Sequence, residues 1–241
     1  LLSTLAALLM FKAPGNDLQI TQLYVGQGDC ALVEFPGFKA LIDTGGSSFG
    51  RDPTAFYIVP YLRERNIRDL DAVFLSHYDV DHVGGIFTIA KDTAIKKVYG
   101  PDASGIDDKD MRDKIVNEVG NIQPLEGTFP MKGGSIKIYP PLGKEGNALS
   151  MAMELSSKGA HALFLGDLPA AEEKGLINLE PRSTVLKLAH HGSKTSSSDE
   201  LLKALHPKLA LISAGARNRY GHPHKEVLDR LKKDKIPYLQ T

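Results

Sequence analysis

Cysteine occurs only once in the 241 residues, at Cys30. That excludes an internal disulfide and any zinc site built from several thiolates. In the strand-like run Cys30–Val33 it reads as a small buried residue. No charge sign is in excess either: 29 Lys and Arg stand against 29 Asp and Glu, which argues against a globally basic nucleic-acid binder. No apolar run is long enough to cross a bilayer, which takes about 20 residues. Leu1–Phe11 is apolar apart from Ser3 and Thr4, and Lys12 ends it. Without an initiating Met or a basic stretch before it, this leader does not read as a whole signal peptide. Residues 1–14 are expected to be the remnant of a transmembrane helix from a longer chain, with a short amphipathic packing helix as the competing reading. Residues 15–241 are expected to form a single domain, since neither an internal repeat nor a low-complexity linker divides them.

The charge balance hides an asymmetry. Residues 182–241 hold 12 Lys and Arg against 5 Asp and Glu, and the earlier residues carry the compensating acidity. Such a split can set a basic face beside an acidic centre, or merely solvate a terminal helix bearing Lys232, Lys233 and Lys235. The acidic part contains the densest group of ligand-type side chains. Within six residues stand His77, Asp79, Asp81 and His82, delivered by the apolar run Ala72–Leu75 and followed by Gly84-Gly85. Imidazoles mixed with carboxylates suit Zn²⁺, Mn²⁺ or Fe²⁺ better than Ca²⁺ or Mg²⁺.

Two further apolar runs end in the same way. Leu163-Phe164-Leu165-Gly166 delivers Asp167, which could bridge two cations or cap the helix opened by Pro169. Val185–Ala189 delivers His190 and His191 ahead of Gly192 and Lys194. Neighbours on a strand point opposite ways, so one of this pair is expected to reach a metal and the other to face substrate. Finally, Arg217, Arg219, Tyr220, His222 and His224 lie within eight residues before a predicted helix, a composition suited to phosphate.

The pattern predicts strands over 18–25, 29–35, 38–42, 72–75, 95–99, 135–139, 149–155, 160–165, 184–189, 209–213 and 237–239. Helices are predicted over 53–66 with a kink at Pro60, over 107–119, from Pro169, over 198–205 and over 222–232. Strands crowded early and helices interleaved later suggest two packed sheets with helices outside.

His77-x-Asp79-x-Asp81-His82 resembles the HxHxDH signature of the metallo-β-lactamase superfamily, with Asp79 in place of the second His. The order of Asp43-x-Gly45-Gly46, that motif, Gly166-Asp167 and His190-His191-Gly192-Ser193 is similar to that superfamily too. Val25-Gly26-Gln27-Gly28-Asp29, His190–Ser196 and Arg219–His224 narrow the resemblance to the metallo-β-lactamase-like domain of ComEC-type DNA-uptake proteins, over about Leu18–Leu239. It implies an α/β fold, a four-layer αββα sandwich of the metallo-β-lactamase type. It implies one or two divalent metal ions, Zn²⁺ or Mn²⁺. His77 and Asp79 would bind one, Asp81 and His82 the other, with Asp167 bridging and His191 or His190 completing the second site. His191 is slightly favoured. Asp43 would hold the metal loops by hydrogen bonds. A later superfamily His is missing; His161 reads as structural, and Asn147 to Ser150 occupy that place. The His77–Asp79 half is therefore expected to be the weaker one.

Such a centre activates water near neutral pH, with a pKa lowered toward ~7, for attack on an anionic ester. Asp81 belongs to that centre, and His190, His222 or His224 could give the leaving oxygen its proton. Lys194, Arg217, Arg219, Tyr220 and Ser150 would contact substrate, with Asn147 behind them. The resemblance implies DNA as substrate, the untransported strand being degraded. It also implies the rest of a polytopic membrane channel as partner, and a bacterial inner-membrane protein with this domain on the extracytoplasmic face. Two alternatives stay open: a hydrolase of a small phosphodiester or phosphorylcholine ester, and a non-catalytic DNA-binding or gating module.

Overall fold

The computed structural model describes residues 9–13, 15, 17–46, 52–103 and 105–241. Four strands open the chain as successive antiparallel neighbours: β1 (Leu9–Lys12), β2 (Gln19–Gln22), β3 (Ala31–Phe35) and β4 (Phe38–Ile42). The Pro36-Gly37 turn closes the β3–β4 hairpin, with Gly37 at φ +82°. β1 places 9–12 on the sheet edge, while 1–8, the rest of the expected leader, lie outside the described residues.

The chain then turns to helix-linked parallel strands. A π-helical turn, Thr54–Ile58, runs into α1 (Val59–Glu64), followed by β5 (Asp69–Leu70) and β6 (Ala72–Phe74). Pro60 therefore sits in the first turn of a restarted helix, where its missing N–H costs nothing, rather than at a mid-helix kink. The ligand motif lies between β6 and the short α2 (Val80–Val83), and α3 (Ile86–Ala90) follows. The single strand predicted over 95–99 is two pieces in different sheets: β7 (Ala94–Ile95), which pairs with β5, and β8 (Val98–Tyr99), which pairs with β6. After α4 (Ile106–Glu118), β9 (Ile122–Gln123) ends the first sheet, whose order is β1-β2-β3-β4-β6-β8-β9.

The second half repeats that topology. Four antiparallel neighbours, β10 (Gly127–Met131), β11 (Gly134–Ile138), β12 (Met153–Ser157) and β13 (Ala160–Phe164), come first. Parallel strands β14 (Val185–Lys187), β15 (Leu209–Ile212) and β16 (Tyr238–Gln240) follow, separated by α5 (Ala170–Ile177), α6 (Asp199–Leu205) and α7 (Lys225–Lys233). Residues 149–152, expected to begin a strand, instead close a 3₁₀ turn at Gly146–Leu149 and approach β12 irregularly.

Alternation along the strands makes the layers. Val33, Ala40, Ile42, Ala72 and Phe74 face Ile136, Met153, Leu155, Phe164 and Val185 of the other sheet. Leu32, Leu41 and Val73 point outward to Leu62, Ile86, Ile89 and Ile115 of the helices. Leu163, Leu186 and Ile212 do the same toward Leu176, Leu201, Val227 and Leu231. The result is the expected four-layer αββα sandwich. Polar residues interrupt the apolar seam: Lys187, in step with Val185, faces inward and is 2% exposed, and Gln22, in step with Ile20, does so at 1%.

Candidate metal centre

The carboxyl ends of β4 and β6 in one sheet meet those of β13, β14 and β15 in the other. Asp43, His77, Asp167, His190 and Ser213 follow those strand ends within a few residues. Ligand-type groups gather there because a strand end frees the backbone to turn its side chains toward a common point.

Three imidazoles are oriented alike. The Ser76 hydroxyl donates to Asp43 Oδ2 at 2.8 Å, so it can only accept from His77 Nδ1 at 3.0 Å. His82 Nδ1 donates to Asp43 Oδ2 at 2.8 Å, and His191 Nδ1 donates to the Ser213 carbonyl at 3.0 Å. Each ring thus presents an Nε2 lone pair forward. All three Nε2 atoms are buried without a hydrogen-bond partner among the described residues, as is Asp167 Oδ1. Asp167 Oδ1 lies 3.2 Å from His82 Nε2, and Asp167 Oδ2 lies 3.6 Å from His191 Nε2. Asp81 Oδ2 approaches His191 Nε2 at 3.2 Å, and Asp79 Oδ2 approaches His77 Nε2 at 3.6 Å. Orphaned lone pairs facing carboxylates, with each imidazole braced from behind, fit a divalent cation.

The electrostatics agree. Burial pushes the Asp81 carboxyl up, but His191 beside it and the charge of His82 bring it down to about 2. Burial likewise opposes ionisation of Asp167, and His82 and His191 outweigh it, holding that carboxyl well below its usual range. His82 is raised despite complete burial, because Asp167 and Asp43 flank it. This is a pocket of negative potential that favours a positive occupant.

Asp43 accepts from the Ser76 backbone N–H and hydroxyl and from His82, each at 2.8 Å. His190 and His191 depart from expectation. Both rings converge on Asp167 Oδ2, His190 Nε2 at 3.7 Å, instead of pointing opposite ways. The strand ends at Lys187, and both histidines take left-handed backbone, φ 50° and 54°, which turns both inward. Behind His190 stands Asn147, whose amide nitrogen is 3.3 Å from Nδ1. Ser150 is a correction. It is 1% exposed, and its hydroxyl accepts the Asp167 N–H at 3.0 Å, so it braces the centre from beneath and does not line it.

His161 pairs with Glu154 at 2.7 Å on the β12–β13 hairpin, a structural role as expected. Cys30 is fully buried and free, as its strand context suggested. Lys194, Arg217, Arg219 and Tyr220 are exposed on the loops after β14 and β15. Arg219 lies over the Tyr220 ring at 5.8 Å, and Tyr220 stacks on His222 at 5.7 Å. His222 lies 5.5 Å from His190 and 4.8 Å from His224 between ring centres, so a rail of cation and rings leads to the centre. Burial, with the neighbouring histidines, lowers His222 to about 4. α7 starts at Lys225, not at His222 as predicted.

Sequence reasoning missed Asp29 as a participant. Ligand atoms of Asp29, His82, Asp167 and His191 lie within 4.8 Å of one another. Yet Asp29 Oδ2 binds Lys187 Nζ at 2.6 Å, and Asp29 Oδ1 faces the Nδ1 side of His191 at 3.7 Å. That nitrogen already donates to Ser213, so Asp29 lies behind the imidazole, not on the side of its free lone pair. Asp29 and Lys187 are a buried floor to the centre. Only their 158-residue separation hid them.

Residues 23–216 match the family model of the metallo-beta-lactamase superfamily. The chain belongs to that superfamily. Its curated relatives include ComE operon protein 3 of Bacillus subtilis, 30% identical over 97% of this chain and 33% of the relative. Recombination protein 2 of Haemophilus influenzae is 30% identical over 97% and 29%, and competence protein ComA of Neisseria gonorrhoeae 30% over 95% and 31%. These are ComEC-type competence proteins, and the chain spans about a third of the length of each. Among solved structures, the metallo-beta-lactamase fold protein YhfI from Bacillus subtilis has a TM-score of 0.66 at 14% identity, covering 93% of this chain and 96% of that one. Superfamily membership and the candidate centre support a metal-dependent hydrolase. Among the described residues, no helix is long and apolar enough to cross a membrane.

Proposed function

We propose that the chain is a metal-dependent phosphodiesterase acting on DNA, the nuclease domain of a ComEC-type uptake protein that degrades the untransported strand. One observation carries this reading. Three braced imidazoles aim free Nε2 atoms at carboxylates, His82 and His191 at buried Asp167 and His77 at Asp79, beside a rail of cation and rings that reaches the surface. His77 and Asp79 would hold one cation, Asp81, His82 and His191 a second, and Asp167 would bridge them. Zn²⁺ or Mn²⁺ held there would supply a Lewis acid and water activated near neutral pH. Asp79, 48% exposed, is the most open of these ligands, which makes the His77–Asp79 position the looser one.

Lys194, Arg217 and Arg219 would hold phosphates flanking the scissile one, and Tyr220 would offer a ring face to a base. His190, His222 and His224 are left to meet the scissile phosphate and its leaving oxygen. The competence relatives support DNA as substrate. They also support a polytopic membrane channel as partner, an inner-membrane setting and an extracytoplasmic face for this domain.

The test is cleavage of single- and double-stranded DNA with Mn²⁺ or Zn²⁺, together with elemental analysis of the purified protein. Cleavage that chelator stops is the expected result. Metal-loaded protein that hydrolyses small esters but leaves DNA intact over hours would refute the nuclease reading.

A further inference from the structure

The six histidines around the centre divide into two sets by what stands behind Nδ1. His77, His82 and His191 back onto acceptors, so Nδ1 carries the proton and Nε2 is free for a cation. His190, His222 and His224 back onto donors. Asn147 Nδ2 faces His190 Nδ1 at 3.3 Å, Gln27 Nε2 faces His222 Nδ1 at 3.2 Å, and the Lys194 backbone N–H donates to His224 Nδ1 at 3.1 Å. A nitrogen that meets an N–H must present a lone pair, so in this second set the proton sits on Nε2.

The Gln27 amide is oriented by a second contact. Gln27 Oε1 accepts the Gly215 N–H at 3.4 Å, which turns Nε2, and no other amide atom, toward His222. The loop that carries Gln27 has no room to drift. Asp29 N–H donates to the Asp81 carbonyl at 3.2 Å, and Ser213 Oγ donates to the Gly28 carbonyl at 2.6 Å. A Cβ on Gly28 would come within 2.3 Å of the Asp81 oxygen, and one on Gly215 within 2.9 Å of the Gln27 nitrogen. The segment is wedged between the metal loop and the loop bearing the rail, so the amide is preorganised.

We propose that Gln27 is a positioning residue that holds His222 as a neutral imidazole with its proton on Nε2. His222 is then a fixed hydrogen-bond donor to a non-bridging oxygen of the substrate phosphate, not the acid that protonates the leaving group. A second proton on Nδ1 would face the amide N–H, so the cationic ring is disfavoured. A neutral ring parts with its remaining proton too reluctantly to act as an acid. What it can do is stabilise charge that develops on phosphate oxygens, as preorganised donors do. The phosphate in this inference rests on the phosphodiesterase reading; the position of the proton does not.

Gln27→Glu separates the possibilities, because it keeps the shape and the bond from Gly215 while reversing the polarity toward Nδ1. Long-range ¹⁵N–¹H correlation spectra of the wild type should show His222 protonated on Nε2 alone. In the variant the proton should move from Nε2 to Nδ1, leaving a lone pair on Nε2, with His190 unchanged. DNA cleavage by the variant should lose about 10²–10³-fold in kcat, the cost of one transition-state donor, with KM little altered. Wild-type His222 protonated on Nδ1 would overturn the proposal. So would a variant whose kcat is unchanged, the mark of a merely structural glutamine, or raised, the mark of an acid. A wild type with the expected spectrum that cleaves no phosphodiester would refute the functional reading and leave the proton assignment standing.

Discussion

Lys187→Met tests the packing beneath the centre. Lys187 is 2% exposed and Asp29 6%, and their charged atoms are 2.6 Å apart between the sheets. Lys187 Nζ has one further acceptor, the Leu188 carbonyl at 3.0 Å, while Asp29 Oδ1 has no hydrogen-bond donor among the described residues. Methionine fills most of the lysine stem but leaves Asp29 charged, buried and without its cation. Breaking a buried pair on one side costs about 3–5 kcal/mol, because the stranded charge keeps its desolvation penalty. Against a total of about 5–15 kcal/mol for a domain, that is a large share. With a urea slope of about 2–3 kcal/mol/M, the midpoint should fall by roughly 1–2 M. The measurement belongs in chelator, so that metal binding does not add to apparent stability. Asp29→Asn with Lys187→Met strands no charge and should recover much of the loss, giving a clear coupling energy in the double-mutant cycle. A single-variant loss below about 1 kcal/mol would show that water reaches the pair, contrary to its place in the seam.

Asp43→Asn keeps one acceptor oxygen where two now take three hydrogen bonds, so His82 and Ser76 compete for it. Metal affinity should fall about 10–100-fold in a competition titration with a chelating dye, and unchanged affinity would make Asp43 a bystander. Ser150→Ala leaves the Asp167 N–H without its acceptor and should cost about 1–3 kcal/mol by denaturation; a cost near zero would mean water replaces the hydroxyl. Arg219→Ala should weaken DNA binding and flatten its salt dependence by about one unit of slope, and an unaltered slope would remove Arg219 from the phosphate contacts.

The candidate ligands were legible because metal chemistry uses few residue types and strand ends announce themselves. Apolar runs ending in His77, Asp167 and His190 pointed to one place before any fold was known. Two packed sheets with helices outside were legible from strands crowded early and helices interleaved later, and the αββα layering followed from the family resemblance. What stayed hidden was set by backbone geometry or by distance in sequence. The convergence of His190 and His191 depends on left-handed φ values that neither residue type advertises. The contact of Gln27 with His222 spans 195 residues, and Asp29 with Lys187 spans 158. Short elements such as β1, α3 and β9 carry too few residues for periodicity to show.

The topology repeated in the two halves has a consequence for how the chain is made. His77, Asp79, Asp81 and His82 belong to the half that leaves the ribosome first, and Asp167, His190 and His191 to the half that follows. The early half can pair its strands, but the inner face formed by Val33, Ile42 and Phe74 then waits for its cover. Until the later half docks, these side chains lack Asp167 and the braced imidazole of His191 opposite them. Tight capture of a cation by the full set would therefore wait until nearly the whole domain has been synthesised.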